Sequence, residues 1–136
     1  MTAKEFLQQA YYAQQEVDFK LEEIARLESL ATRTTATLKS TPSGSNVATS
    51  KIETAIAKME EQRNRLAEEV TELLKITEEV ADAINKVQNY AEKQILKYRY
   101  LRFYDWKQIS ILMKMSSRQL YRLHSQALEN FGSRCH

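Results

Sequence analysis

Over residues 3–38 apolar side chains return at alternating steps of four and three, at Phe6, Ala10, Ala13, Val17, Ile24, Leu27, Ala31 and Leu38, with Lys20 and Thr34 in the two remaining places. That spacing predicts a helix with a coiled-coil seam. Leu7, Tyr11, Tyr12, Phe19, Leu21 and Leu30 widen the stripe, so the helix is expected to touch more than one neighbour. The Thr-rich run over 32–37 has poor helix propensity and is expected to fray. Residues 40–46, STPSGSN, hold the single proline and one of the two glycines and read as a turn. Ser50 and Glu53 then have capping-box spacing for a second long helix over 50–88. Its seam is Ile52, Ile56, Met59, Leu66, Val70, Leu73, Val80, Ile84 and Val87, interrupted by Arg63 and Thr77. At about 1.5 Å per residue such a helix is roughly 60 Å long, and the first can fold back along it as an antiparallel hairpin.

Beyond Asn89 the pattern shortens. Asn89 can cap a helix over 90–103 with Ile95, Leu96, Tyr98 and Leu101 as its apolar positions. Asp105 can cap a second, over 105–113, whose Trp106, Ile109 and Met113 form one stripe while Ser110 is small enough for close approach. Ser116 can cap a third. On it Leu120, Leu123, His124, Ala127 and Phe131 fall on one side, and Arg118, Arg122, Ser125 and Glu129 fall opposite, with Tyr121 at the edge. The last two helices and their turn read as a helix-turn-helix, although Lys114 occupies the turn position where glycine commonly supplies a positive φ. The fold expected is therefore all-α: a long antiparallel hairpin (coiled coil) over 1–88, serving dimerisation or docking, then a three-helix helix-turn-helix domain over 89–136. Two glycines and one proline in 136 residues fit this, and a homodimer would bury the apolar stripe that one hairpin leaves over.

Charge changes the picture. The net charge of +2 conceals eleven Lys/Arg against fifteen Asp/Glu up to residue 89 and nine against three beyond it. The electrostatic footprint for a polyanion thus lies on the last third. In a major-groove helix the N-terminal turns read bases, arginine bonding guanine bidentately and a phenol packing on thymine methyls. Arg118, Tyr121, Arg122 and Ser125 are placed for that. Ser117 and the first-turn amides can hold a phosphate, and Lys107 and Lys114 add solvated charge nearby.

Other chemistry finds little footing. No run of 18 apolar residues is present, and MTAKEFLQQA lacks the basic and apolar regions of a signal peptide, so a cytoplasmic protein away from membranes is expected. The lone Cys135 has no partner for an internal disulfide, and Cys135, His136 and His124 lack metal-site spacing. His124 reads as a core-facing histidine with a polar partner. The glutamates at 60, 61, 68, 69, 78 and 79 read as solvated surface. With no phosphate-binding glycine loop and no nucleophile beside an oriented base, neither an enzyme nor a cofactor is expected.

ILKYRYL at 95–101, the start of the helix at Trp106, and MSSRQLYRLHSQAL at 115–128 together resemble the fourth conserved region of bacterial sigma factors. The whole chain, from its MTAKEFL leader through a Thr-rich stretch and a long acidic helix, resembles small phage and prophage proteins of Gram-positive bacteria related in type to the ArpU and RinA regulators of late phage genes. The resemblance implies binding of double-stranded DNA and control of phage transcription. It places Arg118, Gln119 and Arg122 at DNA-facing positions of the recognition helix. A second expectation stands beside the first. Sigma-like domains also contact RNA polymerase, so an adaptor or inhibitor gripping polymerase or another host protein fits the same basic surface.

Overall fold

The computed structural model describes residues 1–40 and 46–134, and the side chains of 1–36 and 50–133. The chain is all-α, with no strand among the described residues. Its helices are α1 (Ala3–Ser40), α2 (Asn46–Asn85), α3 (Tyr90–Tyr100), α4 (Trp106–Met113) and α5 (Ser117–Arg134). None is long and apolar enough to cross a membrane.

Several expected boundaries move: α2 ends at Asn85 rather than at 88 and α3 at Tyr100 rather than at 103, and two differences earlier in the chain have a local cause. α1 continues through the Thr-rich run, where the Thr32, Thr34 and Thr35 hydroxyls bond back to the carbonyls of Glu28, Leu30 and Ala31. Satisfied within the helix, these polar groups no longer compete with it. α2 already begins at Asn46, so Ser50 lies inside the helix, where its carbonyl accepts from the Thr54 hydroxyl, and does not cap it. Pro42 and Gly44 of the expected turn, the Leu38 side chain, and Cys135 and His136 lie outside the described residues.

α1 and α2 both run through two compact units, Glu16–Glu72 and Met1–Gln15 with Leu73–His136. In the Glu16–Glu72 unit the two helices run antiparallel along the heptad seam. Val17, Leu27 and Val70 are buried, and Ile24, Ala31, Ile56, Met59 and Leu66 half-buried. The charged seam positions set the register. Lys20 Nζ meets Glu69 Oε2 at 2.8 Å, and Arg63 meets Glu28 at 3.6 Å and Glu60 at 3.7 Å. A seam charge that finds its partner in only one alignment favours that alignment over slipped ones.

The other unit crosses the boundary drawn at residue 88. Leu7 and Ala10 of α1 and Val80 and Ile84 of α2 share one buried cluster with Ile95, Leu96 and Tyr100 of α3, Ile109 of α4, and Leu120, Ala127 and Phe131 of α5. Phe6 and Phe131 bring their rings to 5.9 Å between centroids. Three helices of 11, 8 and 18 residues have little apolar area to share, and the extra wall from the long helices closes their core. Of the aromatics beyond residue 89, Tyr100 and Phe131 are buried, and Tyr98, Phe103, Tyr104 and Trp106 pack partly against the core. Tyr90 stands in solvent with Tyr121. Thr77, an interruption of the seam, buries its hydroxyl with no hydrogen-bond partner among the described residues.

Ile84 thus supports α5 from 33 or more positions away in the chain. Replacing Ile84 by Ala should cost about 2–5 kcal/mol in urea unfolding. The same variant should lower hydrogen-exchange protection of the α5 amides, and unchanged α5 protection would show that the core is not shared.

Candidate nucleic-acid interface

The helix-turn-helix is built by three local devices. Asp105 caps α4: its Oδ1 accepts from the Gln108 amide at 2.7 Å, while the Gln108 side-chain carbonyl accepts from the Asp105 amide at 3.1 Å. Ser116 caps α5 in the same reciprocal way. Its Oγ accepts from the Gln119 amide at 3.2 Å and its own amide donates to Gln119 Oε1 at 3.0 Å. Between them α4 ends in a Schellman turn, Lys114 N–H bonding Ile111 O and Met115 N–H bonding Ser110 O. The Ser110 hydroxyl donates to Met115 O and ties the turn down. Lys114 itself adopts φ 56° and ψ 44°, the left-handed conformation that its place in the sequence demands. Phe103, in the link before α4, is the other non-glycine residue of positive φ among the described residues.

The side of α5 facing the core is fixed by polar as well as apolar contacts. His124 is buried, 2.8 Å from the Tyr100 hydroxyl through Nε2 and edge-on to Trp106 at 4.6 Å. Burial, and to a lesser degree the positive charges of Lys4 and Arg99, push its imidazole down to about 4. Burial likewise pushes the Tyr100 phenol up to about 12. The pair is therefore neutral near pH 7, a histidine with a polar partner as the sequence suggested. Arg99 lies over the Trp106 ring at 4.6 Å and donates to Tyr104 O at 3.0 Å, so this cation belongs to the domain's own structure.

Outward from that core stand the residues singled out from the sequence. Lys107, Lys114, Ser117, Arg118, Gln119, Tyr121, Arg122 and Ser125 are all exposed. Among the described residues no ion pair engages Lys107, Lys114, Arg118 or Arg122, nor the exposed Arg102, to which the sequence reading gave no role. Gln119 is not free in the way its exposure suggests, because its side-chain oxygen is held in the cap of α5. Tyr121 is 68% exposed yet stacks on Trp106, centroids 6.2 Å apart and planes 26° apart, so its phenol is presented from a supported ring. In the first turn of α5 the Gln119 and Leu120 amides are taken by Ser116, leaving those of Ser117 and Arg118 without a helical acceptor. Together these groups form a face of cations, a stacked phenol and N-terminal amides, chemistry suited to phosphates and base edges. Among the described residues no group of three or more His, Cys, Asp or Glu side chains is placed to hold a metal ion.

No protein-family model, curated protein or solved structure matches the chain.

Two measurements check this architecture. Lys114→Gly relieves a left-handed conformation that costs an L-residue about 1–2 kcal/mol, so it should raise the unfolding free energy by about 1 kcal/mol; a loss of stability would mean that the turn is not left-handed in solution. His124 binds its proton less readily folded than unfolded. Its contribution is whole above pH 6.5, declines as the pH falls below that value, and is gone below about 4. Thermal unfolding should accordingly weaken over that window, and His124→Phe should flatten the decline. An unchanged pH profile in the variant would place the titrating group elsewhere.

Proposed function

We propose that the protein is a DNA-binding transcription regulator of phage type, resembling the ArpU and RinA regulators and acting in the cytoplasm of a bacterial host. In this reading α5 lies in the major groove of double-stranded DNA. Arg118 and Arg122 reach base edges or phosphates, Tyr121 packs against bases, and Ser125 bonds nearby. Ser117 and the first-turn amides take a phosphate, while Lys107 and Lys114 add attraction to the backbone. The observation that carries the reading is the unpaired, exposed state of Arg118 and Arg122 on the side of α5 opposite its core, with Lys107 of α4 and Lys114 of the turn likewise exposed and unpaired among the described residues. The first turns of that side carry two arginines and no carboxylate, Glu129 following only near the end of the helix, an excess of positive charge that serves a polyanion binder. Pairing of two copies through their long helices would present two recognition helices, with half-sites about one helical turn apart or a multiple of it.

One observation favours a second reading. Ile111 and Leu112, 69% and 51% exposed, form an apolar pair on α4 next to the cations, a surface suited to a protein such as host RNA polymerase. On that reading the protein is an adaptor or inhibitor, and its partner persists through nuclease treatment of a host lysate.

Titration onto promoter DNA at several salt concentrations tests the first reading. Affinity should fall steeply with salt, log K changing by about 0.9 per phosphate neutralised for each decade. Arg118→Glu with Arg122→Glu should weaken binding at least about tenfold and flatten that slope. Affinity that ignores salt and both substitutions would overturn it.

A further inference from the structure

Away from the cation-bearing side of α5, the unit formed by Met1–Gln15 and Leu73–His136 holds a groove of about 850 Å³. Its floor is apolar, made by Ala3, Phe6, Ala83, Val87 and Phe131. Its charge is opposite to that of the DNA-facing side. Glu79, Asp82 and Glu92 line it, against two positive groups, the Lys86 side chain and the amino terminus at Met1.

Glu92 is unusual among these carboxylates. It is 4% exposed, and its Oε1 accepts from Asn130 Nδ2 at 2.7 Å. No lysine or arginine pairs with it among the described residues. A nearly enclosed carboxylate ordinarily has a cation beside it, because one amide donor offsets only part of the hydration it has lost. Glu92 sits in the first turn of α3, where the free amide ends of the helix favour negative charge. The helix end and Asn130 hold the carboxylate in position, and its remaining lone pairs suit a further charge-assisted donor.

We propose that this groove is a binding site for a small organic cation, a primary ammonium carried on an apolar body. The ammonium bonds the Glu92 carboxylate, Glu79 and Asp82 supply attraction at the rim, and the apolar body lies against Phe6, Val87 and Phe131. The volume falls in the range of small-molecule sites, which combine apolar walls with a few placed polar groups. The inference does not rest on DNA binding. The ligand would touch α5 through Asn130, Phe131 and Gly132, at the end opposite Arg118, so occupancy and the DNA-facing surface share one helix.

The test uses the full chain and two probes with the same ring and opposite charge, 2-phenylethylammonium and phenylacetate, followed by 1H–15N NMR. The expected result is saturable shifts of the Ala3, Phe6, Val87 and Gly132 amides with the ammonium and none with phenylacetate. Glu92→Gln should weaken ammonium binding about tenfold, the size of one charge-assisted hydrogen bond. Should that variant fold poorly, Glu79→Gln with Asp82→Asn, both at exposed positions, should still weaken binding about two- to threefold. No saturable shift at millimolar ammonium, equal binding of phenylacetate, or affinity indifferent to the variants that fold would each overturn the proposal.

Discussion

The burial of one side of α5 is the constraint on which the rest depends. Leu120, His124, Ala127 and Phe131 are buried together with residues of α3, α4 and the portions of α1 and α2 within the same unit, His124 against Tyr100 and Trp106 and Phe131 against Phe6. A helix with those four positions enclosed cannot turn about its axis. At about 100° per residue, the opposite side must then carry Arg118, Arg122 and Ser125. The outward chemistry is thus a consequence of inward packing, and loss of the core would remove the orientation before it removed the charge.

Polar contacts refine that orientation where apolar ones would leave it loose. The Tyr100–His124 hydrogen bond has one satisfactory geometry, and Trp106 packs against both His124 and Tyr121, with Arg99 over its own face. A layer of rings below and beside the exposed phenol restricts its rotamers, so less freedom is lost when it meets a ligand. The left-handed Lys114 serves the same end, since the angle between α4 and α5 is set in a turn of three residues. Its strain is tolerated because Ser110 and the two capping boxes over-determine the turn.

Much of this was legible in the sequence, and for physical reasons. Heptad spacing marks which residues face a neighbour, so every described seam position of α1 and α2 is at least half-buried. Asp105, Ser116 and Asn89 signal their caps because a short polar side chain before an apolar run has few other uses. Long-range pairing has no such local signature. That Phe6 meets Phe131, or that Leu7 and Ile84 complete the core of α5, follows from how amphipathic stripes meet in space, and a stripe does not name its partner. The same holds within the candidate interface. Exposure of Arg118 and Arg122 could be read from the helical wheel, whereas the capture of Gln119 by Ser116 and the stacking of Tyr121 on Trp106 depend on side-chain geometry, as does the seating of Glu92 beside Asn130 in the groove elsewhere in the same unit. The start of the second helix is not legible in this way, because Ser50 and Glu53 have capping spacing yet lie within a helix that has already started at Asn46.

The central claim is that the solvent side of α5, held outward by its own core, is the surface that meets duplex DNA. Hydrogen exchange followed by mass spectrometry, with and without a short duplex at low salt, tests it most directly. The account predicts added protection confined to α4, its turn and the first half of α5, with the Glu16–Glu72 unit unaffected. Protection that appears only on α1 and α2, or on no segment while the duplex is bound, would contradict it.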